Sequence, residues 1–240
     1  MFKVSILNAR DELYRQLHRN GLLSLIEELL LKGSGVAVFA GAVRDVVATH
    51  EFGWKANRPR DWDIGVSGVP SPLFDGFLNE IGGIRNRYGG YSVPLGHSPP
   101  LEMWRLEETI GLRMRGCRFS LQNVLRSFVL SCNAIAFDVA SGYFWDAGAL
   151  RALGTRRIEL VERVIMHSTP TFSAKAVLAA LRFGFDLSSS VRLLARSHIN
   201  RHALEHEARK SFPGVWLPAL RGPMDGRYRP DDQYWRIPQA

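Results

Sequence analysis

The order of apolar and polar positions predicts a strand-rich first part and a helical second part. Leu22, Leu23, Ile26, Leu29 and Leu30 recur at helical spacing, and Asn20-Gly21 ahead of them is a helix-stop signal. Residues 10–32 are therefore expected to form two short helices. The apolar run at 36–40 predicts a buried strand, followed by a Gly turn at 41, a helix over 42–50 and a second strand over 61–67. A proline-bounded helix is expected near 71–81. A hairpin-like segment follows over 84–106, with Gly89-Gly90 as its turn signal. Its last part, LEMWRL at 101–106, reads as a strand returning beside 61–67. The stretch 127–140 is continuously apolar, as a covered strand or helix would be. Beyond Asp146 the pattern turns helical, over roughly 148–153, 173–186 with Ser173 as N-cap, and 188–206.

The fold class expected from this order is α/β, a small mixed sheet flanked by helices, followed by a short helical domain. An apolar content of 46% over 240 residues is enough for a real core. No apolar stretch is long enough to span a bilayer, and Asp11 and Glu12 interrupt the N-terminus before any long apolar region. The reading is accordingly no membrane association, no signal peptide and a cytoplasmic location. Two cysteines, Cys117 and Cys132, have no metal-type spacing and fit a reducing compartment.

Charge is unevenly distributed. Residues 1–150 hold 16 Lys+Arg against 15 Asp+Glu, whereas residues 151–240 hold 15 against 8. A near-neutral first part joined to a basic second part favours a polyanionic partner such as RNA. The last 30 residues carry five of the 12 prolines, together with Trp216, Tyr228, Tyr234 and Trp235. This tail is expected to run over the surface or onto a protein partner or second copy. Its interleaved Arg227, Arg229 and Arg236 also suit base stacking.

Two carboxylates on one strand supply the candidate chemistry. Asp61 and Asp63 are two apart, so on a strand they share a face. Two-metal phosphoryl transfer needs such a pair, with a third carboxylate from a neighbouring strand, for which Glu102 is the candidate. The metal would be Mg²⁺ or Mn²⁺, held by oxygen ligands and leaving places for phosphates. The Gly turn at 41 lacks the Lys-Ser/Thr of a P-loop, but the N–H groups of Gly41, Ala42 and Val43 at a helix start suit an anion, with Arg44 as a charged contact. Arg44-Asp45 equally reads as a surface ion pair. His198, His202 and His206 are spaced to share one helix face, which is compatible with a metal, a phosphate contact or plain solvation.

Together these segments resemble a known family. FAGAVRDVV followed by RPRDWDIGVSG is similar to the head domain of poly(A) polymerases and class II CCA-adding nucleotidyltransferases, whose pattern is Gly-Gly-x-Val-Arg-Asp and then Asp-x-Asp. Ala42 is read as replacing the second glycine. PLEMWRLEET resembles the strand of the family's further acidic residue, at Glu102. SCNAIAFDVASGYFWDAGALRAL resembles the Thr-Ile-Asn-Ala stretch and the turn after it, through Asn133, Asp138 and Asp146. AVLAALRFGFDL resembles the Leu-Arg-Ala-x-Arg-Phe helix, through Arg182 and Phe183.

The resemblance implies helices at 1–33 packing on a nucleotidyltransferase head at 34–150, a basic helical domain at 151–210 and a tail at 211–240. It implies metal-dependent transfer of a nucleoside monophosphate from an NTP to a hydroxyl; the basic second part favours an RNA 3′ end of tRNA type as acceptor, with a protein hydroxyl as the alternative. Asp61, Asp63 and Glu102 would be catalytic and metal-binding. Gly41, Ala42, Val43, Arg44, Asp45 and Asn133 would bind nucleotide. The family's larger body and tail fall outside the resemblance, so a stand-alone protein is expected, a form that also occurs among toxin-like or defence-associated members. The family's Arg-Arg-Asp falls on Ser127-Phe128-Val129, and its later Glu-Asp and Arg fall on Phe172, Ser173 and Ala176. These departures leave an alternative, a catalytically retired module that binds nucleotide or RNA.

Overall fold

Alternation along the central strands sorts their side chains onto two covered faces, and a mixed sheet results. The computed structural model describes residues 2–55, 59–86, 88–96, 99–161, 170–198 and 200–211. Its first elements are β1 (Phe2–Val4), α1 (Leu7–Arg19), α2 (Leu22–Leu31), β2 (Gly35–Phe39), α3 (Ala40–Phe52) and β3 (Trp62–Ser67). Next come α4 (Ser71–Glu80), β4 (Ile84–Arg85), β5 (Tyr91–Val93), β6 (Leu101–Arg105), α5 (Ile110–Arg115) and α6 (Leu121–Arg126). Strands β7 (Ile135–Asp138) and β8 (Tyr143–Asp146) and helix α7 (Ala149–Thr155) follow. The eight strands run in the order β1-β8-β7-β2-β3-β6-β5-β4, and among the described residues only β3 and β6 pair in parallel within this sheet.

One face carries Val36, Val38, Trp62, Ile64, Val66, Leu101, Met103 and Phe137, all buried. Against it Tyr14 of α1 meets Phe137 edge-on at 5.3 Å and donates to the Val139 carbonyl at 2.7 Å. The other face carries Ala37, Phe39 and Ala136, covered by Leu106, Leu112, Val124 and Leu125 from the α5–α6 region. Gly65 lies on this second face. A Cβ built there would stand 2.2 Å from Leu106 Cδ2 and 2.9 Å from Phe39 Cε2, so only glycine lets the cover settle.

Segments of the chain gather into two compact units, Met1–Phe128 with Cys132–Leu150, and Val129–Ser131 with the chain from Arg151. In the second unit, β9 (Arg157–Ile158) pairs in parallel with β10 (Asp186–Leu187). Helices α8 (Pro170–Phe183), α9 (Ser189–His198) and α10 (Arg201–Ser211) complete it. Ala174, Leu178, Ala203, Leu204 and Ala208 form its core.

Several expectations are corrected. β1 was not foreseen, because three residues give no readable alternation. The apolar run at 127–140 is divided between a 3-10 turn at Ser131–Asn133 and β7. Helix α8 begins at Pro170, whose fixed φ suits the first turn, and Ser173 is no cap but a buried residue donating to the Leu194 carbonyl at 3.2 Å. The stretch 188–206 is two helices, because Asn200 Oδ1 accepts from the Ala203 N–H at 2.8 Å and starts a new one. Among the described residues no helix is long and apolar enough to cross a membrane. The aromatic tail lies outside the described residues.

Candidate functional site

At the end of β2 the chain turns straight into α3. Ala40 makes the turn with φ 52, a left-handed conformation that costs a non-glycine residue about 1–2 kcal/mol. This corrects the alignment with the Gly-Gly pattern: Ala40, not Ala42, stands where the backbone asks for glycine, and Ala42 is an ordinary buried helical residue. No side chain caps α3 and its own first turn holds no acidic residue, so nothing within the helix offsets the positive end of its dipole. A Cβ built on Gly41 would lie 3.9 Å from Asp61 Oδ1. The helix start and the first carboxylate are therefore neighbours.

Asp61 immediately precedes β3 and Asp63 lies within it, both half-buried. In register, Asp63 sits between Phe39 of β2 and Glu102 of β6. Glu102 is half-buried as well, and its Oε2 accepts from Asn86 Nδ2 at 3.0 Å. The sheet thus brings Asp63 and Glu102 side by side, with Asp61 two residues back toward α3. Among the described residues no group of three or more His, Cys, Asp or Glu forms a ready metal cage. The donor set is nonetheless all carboxylate oxygen, which suits Mg²⁺, an ion that keeps waters and substrate phosphates as most of its ligands.

Arg44 and Asp45 are a pair, but a buried one rather than a surface one. Arg44 Nε donates to Asp45 Oδ1 at 2.7 Å, Nη2 reaches the same oxygen at 2.6 Å, and Nη1 donates to Asn133 Oδ1 at 2.6 Å. The side chains are only 8% and 7% exposed, so the guanidinium is held inside, beneath the helix start. Beside them burial pushes the Cys132 thiol up to about 11, with Arg44 acting in the opposite direction. Asp138 and Asp146 serve turns: Asp138 accepts from the Ser141 hydroxyl at 2.8 Å, and Asp146 from the N–H groups of Gly148 and Leu150.

His202 and His206 stack on α10 with ring centroids 6.5 Å apart, whereas His198 ends α9, so the three do not share one helix face. Asn86 escaped the sequence reading. Its signal was the Asn-x-Tyr-Gly-Gly order, since an Asn side chain often binds the N–H two residues on.

Four of the positions that depart from the family pattern are committed to packing. Phe128 stacks on Phe39 at 6.0 Å, Ser127 Oγ donates to the Val124 carbonyl at 2.6 Å, and Ser173 and Ala176 are fully buried.

Solved structures of similar fold are known. Over 93% of this chain and 54% of the other, the Thermotoga maritima CCA-adding enzyme complexed with tRNA superposes with a TM-score of 0.63 at 17% identity. A CCA-adding enzyme complexed with ATP gives a TM-score of 0.63 at 17% identity, covering 93% and 55%. A tRNA-processing enzyme in its apo form gives 0.55 at 21% identity, covering 87% and 54%. The fold is nucleotidyltransferase head-like. The chain spans about half the length of the solved structures it matches. No protein-family model matches the sequence, and no curated protein matches it.

Proposed function

We propose that the chain transfers a nucleoside monophosphate from an NTP to a hydroxyl, with an RNA 3′ end as the acceptor class. The observation that carries this reading is the pairing of Asp63 with Glu102 across β3 and β6, with Asp61 beside Gly41 at the uncapped start of α3. An acceptor oxygen would form a bond to the α-phosphorus as the bond to the bridging oxygen breaks. Pyrophosphate leaves with the electron pair, and the hydroxyl proton passes to water.

Asp61, Asp63 and Glu102 are the residues that would hold Mg²⁺, which supplies charge neutralisation and a lowered hydroxyl pKa when bound. The N–H groups of Gly41, Ala42 and Val43 would hold triphosphate oxygens. Arg44, fixed by Asp45 and Asn133, adds positive charge from beneath and sets the helix start in place. The basic 151–240 segment would bind the acceptor's phosphates, and the 212–240 segment would meet a protein partner or second copy.

A second reading is a binding module that holds nucleotide or RNA without turnover. It is favoured by Phe128, Ser173 and Ala176, whose packing leaves no charged group at the positions that depart from the family pattern.

The test uses Mg²⁺, each α-³²P-labelled NTP and total RNA, with the Asp61→Ala/Asp63→Ala double variant alongside. Label entering RNA only with the unaltered protein supports transfer. Nucleotide binding without label or pyrophosphate release supports the module. Equal turnover by the double variant overturns the site.

A further inference from the structure

Asn86 follows β4, at the edge of the sheet, and its side chain is used at both ends. Oδ1 accepts from the N–H of Tyr88 at 2.9 Å and from the N–H of Gly90 at 3.1 Å. The backbone closes the same turn, with the Asn86 N–H donating to the Gly90 carbonyl at 2.8 Å. Two N–H donors on one end decide which end is oxygen. The –NH₂ must then face the other way, and it does, donating to Glu102 Oε2 at 3.0 Å. The turn is also pressed against β6. A Cβ built at Gly90 would lie 2.7 Å from the Met103 carbonyl oxygen and 3.4 Å from Asn86 Nδ2, so Gly90 admits the close approach that brings the amide within reach.

We propose that Asn86 is a positioning residue for Glu102, holding one carboxylate oxygen so that the other stays available, beside Asp63, to a divalent cation. The inference rests on the carboxylate reading above. Its physical content is that a glutamate with three free torsions loses rotamer freedom before binding instead of on binding. An amide locked by two backbone N–H groups is a stiffer guide than a side chain that can rotate. Hydrogen-bonded partners of this kind commonly contribute 10- to 100-fold to metal affinity.

The experiment measures Mn²⁺ affinity by electron paramagnetic resonance, with a non-hydrolysable ATP analogue present, and thermal unfolding of each variant. Asn86→Ala removes both the turn acceptor and the amide donor. Asn86→Ser is the sharper variant, because a serine hydroxyl still serves the N–H two residues on but cannot reach Glu102. Asn86→Ser should keep its melting temperature within a few degrees and bind Mn²⁺ about tenfold more weakly. In the Glu102→Gln background the same change should cost less than twofold, because the group it orients is gone. Unchanged Mn²⁺ affinity in Asn86→Ser, or an equal loss in both backgrounds, overturns the proposal. If Asp61→Ala/Asp63→Ala and Glu102→Gln bind Mn²⁺ as tightly as the unaltered protein, the carboxylate reading itself fails, and this one with it.

Discussion

Arg44 and Asn133, 89 positions apart, are joined by a 2.6 Å hydrogen bond that ties the start of α3 to the turn before β7. Asp45 completes the arrangement as the buried counter-charge. Asp45→Ala removes the carboxylate that two nitrogens of the buried guanidinium contact and should cost about 3–5 kcal/mol. Asn133→Ala removes a neutral acceptor and should cost about 1–3 kcal/mol. Urea unfolding of both, and of the double variant, checks this. Because the two share Arg44, their losses should not add.

Ala40 and Ala42 should respond differently to glycine. Ala42 is ordinary helix interior, so Ala42→Gly should lose about 1 kcal/mol. Ala40 sits at φ 52, where glycine relieves strain that offsets the lost methyl, so Ala40→Gly should be close to neutral or stabilising. Equal losses at the two positions would show that the backbone demand is not at residue 40.

Gly65→Ala should destabilise the protein by about 1–3 kcal/mol, since its methyl would overlap Leu106 and Phe39. Leu106→Ala in the same chain opens the space and should recover part of the loss. Melting temperatures of the three variants decide it.

The two cysteines should be separable chemically. Cys117 is exposed and should react with maleimide in the native protein, whereas Cys132 is buried and should react only on unfolding. Its thiol rises from an ordinary value near 9 to about 11 through burial. The unfolded thiol ionises first, so the unfolded state holds fewer protons between these values, and stability falls as pH rises from about 9 to 11. The loss should approach about 2–3 kcal/mol at the top of that window. Cys132→Ala should flatten the slope there.

The strands of the first unit were legible because they carry local signals. An apolar β2, the Asp-x-Asp of β3 and the turn before α3 each announce themselves within ten residues. The place of Glu102 on a strand beside β3 was legible because its segment reads as a strand. What stayed hidden depends on distant partners. The burial of Arg44 is decided by Asn133, and the role of Asn86 by Glu102, and no short window contains both members. Ser173 looked like a cap because serine so often is one, yet its neighbour is Leu194 on another helix. Asn200 was legible in principle, as a capping residue between two apolar patterns, but the helical spacing on either side ran in phase and concealed the break.

The parallel pairing of β3 with β6 makes the acidic pair a gauge of correct assembly. The crossover from 68 to 100 must close before Asp63 and Glu102 meet, and long closures of this kind come at an entropic cost that slows folding. Side chains alternate along a strand, so a slip of one residue would set Leu101 or Met103 next to Asp63 and turn Glu102 to the opposite face. A chain threaded one step out of place keeps nearly all its hydrogen bonds and loses the acidic pair altogether. The juxtaposition of Asp63 and Glu102 therefore exists only once β3 and β6 have closed in register.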